Sequence, residues 1–156
     1  MLKLVCTALG LAFVIAPAAS GQRGVDRGLD QQSRQLSVWD GLFTEAQATR
    51  GQAVYTGACG FCHGSRLDGA PDDPDMRPAP PLARARFLRV WEGRTLGTLW
   101  AFMRATMPED NPNSLSGQEY LDVVAYMLSV GGMPTGAQEL PNDPGVLARV
   151  HIGPRP

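Results

Sequence analysis

The stretch Cys59-Gly60-Phe61-Cys62-His63 (CGFCH) is the most specific pattern in this chain. It holds two thiols separated by two residues, with an imidazole directly behind the second thiol. Such a pattern is compatible with half of a zinc site, with a redox-active dithiol, or with the attachment point of a covalent haem. Each interpretation needs different surroundings, so the rest of the chain distinguishes them.

The first twenty residues have the pattern of a secretory signal peptide. Lys3 precedes an apolar run over residues 4–15, and small residues follow. We expect residues 1–20 to be removed on export to the periplasm, with a membrane anchor as the alternative. The run is shorter than the roughly 20 residues that cross a bilayer, so we expect no membrane span after cleavage. Cys6 leaves with the peptide, and the mature chain keeps only the two cysteines of the motif.

Composition indicates one ordinary domain and excludes one class of partner. Of the 156 residues, 44% are hydrophobic and 19% are charged, as in a typical globular protein. Basic residues number 14 and acidic residues 15, and no basic stripe is present to neutralise phosphates. We therefore expect no nucleic-acid partner.

The chain divides into four parts. After the signal peptide, residues 21–37 are polar and glycine-containing, which is typical of a flexible lead-in. Residues 38–133 carry the periodic patterns of the folded domain. Residues 134–156 are rich in proline and glycine, and we expect an extended C-terminal tail lying over the surface.

Helical periodicity dominates the domain, and no strand pattern competes with it. Thr44 with Gln47 and Ser116 with Glu119 resemble capping boxes ahead of two of the helices. The predicted fold class is all-α, a small domain of about three to five helices with long proline-rich loops. Such a domain buries little apolar surface unless something large and flat occupies its middle.

These surroundings favour haem over the other two interpretations. Structural zinc takes four ligands, and the only other histidine is His151 near the C-terminus. A thioredoxin-like dithiol needs a βαβ setting, which the patterns do not offer. For a haem c, Cys59 and Cys62 each add to one vinyl group, and His63 becomes an axial ligand of the iron. The sequence thus predicts one covalent haem.

Met107 is the predicted second axial ligand. It lies in RATMPEDNP (104–112), where Pro108 ends the preceding helix and turns the chain. A thioether at this position can leave the helical face and point towards a metal.

Other residues remain as alternatives for this position. Met103 and Met127 lie on apolar helix faces, where methionine is typically core filler. Met76 and Met133 lie in loops. His151 would require the tail to fold back.

The motifs together resemble those of class I c-type cytochromes. TRGQAVY (49–55) is similar to their opening helix, CGFCH to their haem attachment, TMP (106–108) to their axial methionine loop, and EYLDVVAYML (119–128) to their closing helix. The likeness covers residues 38–133. It implies a helical domain wrapped around the haem, in which Gly51 and Tyr55 pack across Tyr126.

The resemblance also implies a haem environment and partners. A proline carbonyl holds the proximal imidazole in this family, which suggests Pro80, with Pro81 as the alternative, and Trp91 is similar to the aromatic residue on the propionate side. The flanking sequences (37–47 and 113–128) are similar to small exported cytochromes that accompany quinoprotein dehydrogenases. A PQQ-dependent dehydrogenase is thus the expected donor and a terminal oxidase the expected acceptor. Family members that dock through a ring of lysines differ, because this mature chain has none.

The expected function follows from the ligands. Histidine and methionine on the two axial faces leave no position for substrate, so we expect a one-electron carrier and not an enzyme. The alternatives are a haem enzyme or gas-binding protein with an open sixth position, and a haem subunit of a quinoprotein dehydrogenase complex.

Overall fold

A computed structural model describes residues 35–70, 75 and 79–156. The predicted signal peptide, nearly all of the lead-in and Met76 lie outside the described residues. The described part contains six helices and two short strands, and none of these helices is long and apolar enough to cross a membrane. In chain order the elements are β1 (Leu36–Ser37), α1 (Glu45–Ala58), α2 (Gly60–His63), α3 (Arg84–Trp91), α4 (Leu96–Thr106), α5 (Gly117–Val130), α6 (Pro144–Leu147) and β2 (Val150–His151).

The all-α prediction is confirmed, although the helices outnumber the predicted three to five. The additional elements are α2 and α6, which have four residues each. A single helical turn is too short to show a 3.6-residue period, so periodicity does not reveal it. The two strands have two residues each and leave no alternation in the sequence for the same reason.

The crossing of α1 and α5 is the centre of the fold. A Cβ atom at Gly51 would overlap the carbonyl oxygen of Asp122, so only glycine permits this approach of the two backbones. Next to it the rings of Tyr55 and Tyr126 pack with centroids 5.4 Å apart. The crossing that the family resemblance implied is therefore present.

The two predicted capping boxes differ. At α5 the box is complete, because Ser116 Oγ accepts the N–H of Glu119 and the Glu119 carboxylate accepts the N–H of Ser116. That second bond holds the pKa of Glu119 below its usual value. At α1 only Thr44 caps, by accepting the N–H of Gln47 at 3.0 Å. The Gln47 side chain instead bonds to the tail.

The tail is more deeply embedded than the surface segment that the sequence predicts. The buried Gln47 amide donates to the carbonyl of Leu140 and accepts its N–H, at 3.2 and 2.8 Å. Beyond it, β2 pairs in parallel with β1, and Trp39 Nε1 donates to the Gly153 carbonyl at 2.9 Å. Apolar side chains spaced along the tail enter the core: Leu140, Leu147, Val150 and Ile152. Their burial against the helices explains why a proline-rich segment is held in place.

Candidate haem-binding site

Helix α1 leads directly into the CGFCH motif. The N–H of Cys59 donates to the Tyr55 carbonyl, which ends α1, and the N–H of His63 donates to the Cys59 carbonyl at 3.0 Å, which closes the turn of α2. This local folding places the two cysteines one turn apart. Both are free thiols: Cys59 is half-buried and Cys62 is exposed. Burial raises the pKa of the Cys59 thiol to about 11, and the neighbouring Cys62 adds to the shift, so this thiol is protonated at neutral pH.

The His63 imidazole is buried and oriented. It is 7% exposed, and its Nδ1 lies 2.9 Å from the carbonyl oxygen of Pro80. A carbonyl can only accept, so Nδ1 must carry the proton in this hydrogen bond. The lone pair then lies on Nε2, which is the tautomer that a metal ligand needs.

Glycine brings the Pro80 segment close to the histidine. Gly69 has φ +83°, and a Cβ atom there would overlap the Ala79 carbonyl oxygen. Its N–H donates to the His63 carbonyl at 2.9 Å. A side chain at position 69 would therefore displace the loop whose next residue, Pro80, fixes the imidazole.

The buried Tyr55 holds the chain just after the histidine. Its hydroxyl donates to the Gly64 carbonyl at 2.6 Å. Burial raises the pKa of Tyr55 well above its usual value, so the phenol stays protonated and remains a donor. The His63 side of the site is thus tied to α1 as well as to Pro80.

Met107 ends α4, as the sequence predicts. Its N–H donates to the Met103 carbonyl at 2.8 Å, while its own backbone is extended, with φ −125° and ψ 150°. The chain leaves through a cis peptide bond to Pro108. The hydroxyl of Tyr120, on α5, donates to the Met107 carbonyl at 2.6 Å. Met107 is partly buried.

The alternative ligands have other surroundings. Met103 and Met127 are buried in the hydrophobic core, where the sequence places them as filler, and Met133 is buried with them. His151 lies in β2 and pairs with Ser37.

Trp91 is buried in an aromatic cluster. Its ring stacks on Phe87 at 6.4 Å between centroids and meets Phe102 edge-on at 5.5 Å, and the Arg94 guanidinium lies 5.2 Å above it. These contacts are compatible with a core tryptophan and with the haem-side role that the resemblance implies. That role stays a prediction.

The donor set fits a covalent haem. Two free thiols and an imidazole with Nε2 available lie on one continuous turn, which is the chemistry that vinyl addition and axial ligation require. The structure joins the motif to Pro80 through the imidazole, and it joins Met107 to α5 through Tyr120. The histidine side is therefore tied to α1 through Tyr55 and the methionine side to α5 through Tyr120, and these two helices cross at Gly51.

The sequence does not reveal the roles of Tyr120 and Gly69. Tyr120 lies on the apolar face of the closing helix, where its position indicates only a core residue. A tyrosine in an otherwise aliphatic helix face was the available signal, since a buried hydroxyl needs a partner. Nothing in the sequence near Gly69 indicates which loop it approaches.

A comparison with curated proteins gave no match, and a comparison with solved structures gave none either. A protein-family model, described as cytochrome C oxidase, cbb3-type, subunit III, matches residues 46–127. This range begins in α1, contains the CGFCH motif, Pro80 and Met107, and ends in α5. It covers more than half of the chain, and the protein therefore belongs to this family of c-type cytochrome domains.

Proposed function

We propose that the protein is a periplasmic one-electron carrier with a single covalent haem. Cys59 and Cys62 would hold the porphyrin through thioether bonds, and His63 and Met107 would be the axial ligands. The observation that carries the proposal is the oriented imidazole directly behind two free thiols, with Nδ1 donating to the Pro80 carbonyl at 2.9 Å. Family membership supports the haem and electron transfer themselves.

When bound, haem iron supplies a ferric–ferrous couple. The protein's part is to fix the ligands and to exclude water. The Pro80 carbonyl orients His63 and strengthens it as a ligand by accepting from Nδ1. A methionine thioether as the other ligand raises the reduction potential.

The proposed partners are redox proteins of the exported electron-transfer chain. A PQQ-dependent dehydrogenase is the proposed donor, on the resemblance of the flanking sequences. A terminal oxidase is the proposed acceptor, and a family description that names an oxidase subunit supports this choice. The same description supports a second candidate, a haem subunit that works only within a larger complex.

The test starts from protein expressed with a haem-attachment system. An alkaline pyridine spectrum should show one haem per chain. The reduced protein should not bind carbon monoxide, whereas Met107→Ala should bind it and should have a lower potential. Met103→Leu is the matched control, because Met103 lies one turn away in the core.

Two outcomes would redirect the proposal. Carbon monoxide binding by the unmodified protein would favour a haem enzyme or gas-binding protein with an open sixth position. Purification from native periplasm only together with other subunits would favour the haem subunit of a complex.

A further inference from the structure

Both backbone polar groups of Met107 have partners. The N–H belongs to the end of α4 through its bond to the Met103 carbonyl at 2.8 Å. The carbonyl accepts from the Tyr120 hydroxyl at 2.6 Å. The first bond is local to the helix, whereas the second crosses from α4 to α5. Among the hydrogen bonds of the described residues, only the second connects Met107 to another helix.

Tyr120 is itself firmly held. It is 1% exposed and lies in the first turn of α5, directly after the complete capping box of Ser116 and Glu119. Its neighbours Val123 and Val124 are buried in the core. A phenol buried this deeply needs a hydrogen-bond partner, and the Met107 carbonyl provides it. The hydrogen bond from Tyr120 therefore fixes the Met107 carbonyl relative to α5.

The chain after Met107 has weaker connections of its own. Glu109 and Asp110 are exposed, and Arg104 reaches the loop through a 3.3 Å bond from Nη2 to Asn113 Oδ1. Without the Tyr120 bond, the Met107 backbone would be fixed on its helical side only. Its thioether would then sample more directions.

We propose that Tyr120 is a positioning residue, which keeps the Met107 thioether on the metal by holding the Met107 carbonyl. This inference rests on the proposed His/Met ligation. It assigns a role to a side chain that does not itself ligate. Tyr120→Phe keeps the aromatic volume and removes only the donor.

The chain offers one matched control, Tyr126→Phe, and one comparison variant, Tyr55→Phe. Tyr55 makes an equally short bond, to the Gly64 carbonyl on the histidine side, so Tyr55→Phe removes the same chemistry far from the methionine along the chain. Tyr126 lies on α5 and packs against Tyr55, and among the described residues its hydroxyl has no hydrogen bond. Tyr126→Phe therefore reports the effect of a tyrosine change in the same helix without a lost donor.

The experiment titrates imidazole into the full ferric holoprotein. The methionine-to-iron charge-transfer band measures displacement of Met107 from the metal. We expect Tyr120→Phe to lower the apparent Kd of imidazole about tenfold, which corresponds to about 1.4 kcal/mol. Tyr126→Phe should stay within about twofold of the unmodified protein. Tyr55→Phe should lower the thermal unfolding midpoint and change the Kd less than Tyr120→Phe does, because the bond that it loses lies on the histidine side.

Three results would overturn the inference. The first is a Kd for Tyr120→Phe equal to that of Tyr126→Phe. The second is an equal tenfold drop for Tyr55→Phe, which would indicate general loosening. The third is a charge-transfer band that persists in Met107→Ala, which would show that another residue is the ligand and would refute the proposed ligation as well. Only this third result also contradicts the proposed function.

Discussion

The histidine and methionine sides of the site are built differently. His63 belongs to a motif that continues α1, and its ring and following backbone are fixed by Pro80, Gly69 and Tyr55. Met107 lies between two helices, and one side-chain bond, from Tyr120, ties it to the second helix. The histidine side is therefore determined mostly by nearby sequence. The methionine side depends on how α5 packs.

This difference predicts where ligand exchange should occur. A ligand whose ring and following backbone are both fixed can leave a metal only if the whole segment moves. A ligand whose backbone has a single bond to the neighbouring helix can leave more easily. Under the proposed His/Met ligation, we therefore expect exogenous ligands to compete at the methionine side.

The strongest test of the histidine side removes both thiols. We expect Cys59→Ala combined with Cys62→Ala to lose all covalent haem, because the third cysteine of the sequence, Cys6, lies in the predicted signal peptide. Haem staining after denaturing electrophoresis and extraction with acid acetone measure the loss. Cys6→Ala is the control and should retain the haem, since Cys6 lies in the predicted signal peptide. Covalent haem in the double variant would contradict the assignment of the motif.

The next test addresses the crossing of α1 and α5, the helices to which Tyr55 and Tyr120 belong. Gly51→Ala should destabilise the protein by about 3 kcal/mol, because the new methyl group meets the Asp122 carbonyl and α1 must move away from α5. Denaturant unfolding of the holoprotein measures the change.

Gly57 provides the control in the same helix. It has nothing within 4 Å of an added Cβ atom, so Gly57→Ala should stabilise by roughly 0.5–1 kcal/mol through helix propensity. Equal stability of the two variants would show that the crossing is looser than described.

The features that could be predicted from the sequence differ from those that could not in the same way as the two sides of the site: the former depend on nearby residues and the latter on packing. The motif, its helix and the end of α4 at Pro108 could be predicted because each depends on neighbouring residues. Burial of the tail could not, since Leu140 looks like any leucine between prolines until Gln47 bonds to its backbone. Likewise, Tyr120 reads as one more core residue, because nothing in the sequence shows which carbonyl its hydroxyl will meet.

A smaller effect is expected from the ion pairs beside the crossing. Arg50 donates to Asp122 on α5 at 3.0 Å and to Glu139 on the tail at 2.7 Å. The hydrogen bond from Arg50 holds the pKa of Glu139 below its usual value. A carboxyl whose pKa is lowered by folding stabilises the folded state above its unfolded pKa, and this contribution disappears as the pH falls through the folded pKa.

Glu139→Gln should therefore flatten the acid side of the stability profile. The loss of stability between about pH 5 and pH 3 should be smaller than in the unmodified protein, because Glu139 no longer takes up a proton on unfolding. Unfolding midpoints across this range measure it. Glu92→Gln, at the exposed end of α3, is the control. Identical profiles for Glu139→Gln and the unmodified protein would show that the solvated Arg50–Glu139 ion pair contributes nothing measurable to the stability.

The smallest expected effect concerns the surfaces beside the two ligands. Phe61, between the cysteines, is 80% exposed, whereas Glu109 and Asp110 are exposed just after Met107. If both surfaces border the docking site, the histidine side contributes apolar contact and the methionine side contributes charge. Charge steering weakens as the Debye length falls from about 30 Å at 0.01 M salt to about 8 Å at 0.15 M, whereas apolar contact is much less sensitive to salt.

The reduction rate by a quinoprotein dehydrogenase from the same organism separates the two contributions. We expect the second-order rate to fall by up to about tenfold over this range of salt, and Glu109→Gln with Asp110→Asn to flatten the dependence. Phe61→Ala should slow the reaction by a similar factor at every salt concentration, because it removes contact area but no charge. If the rate is unchanged by salt and by Glu109→Gln with Asp110→Asn, charge steering at the methionine side is contradicted. Docking would then depend on contacts such as that of Phe61, and the histidine side would both hold the haem and meet the partner.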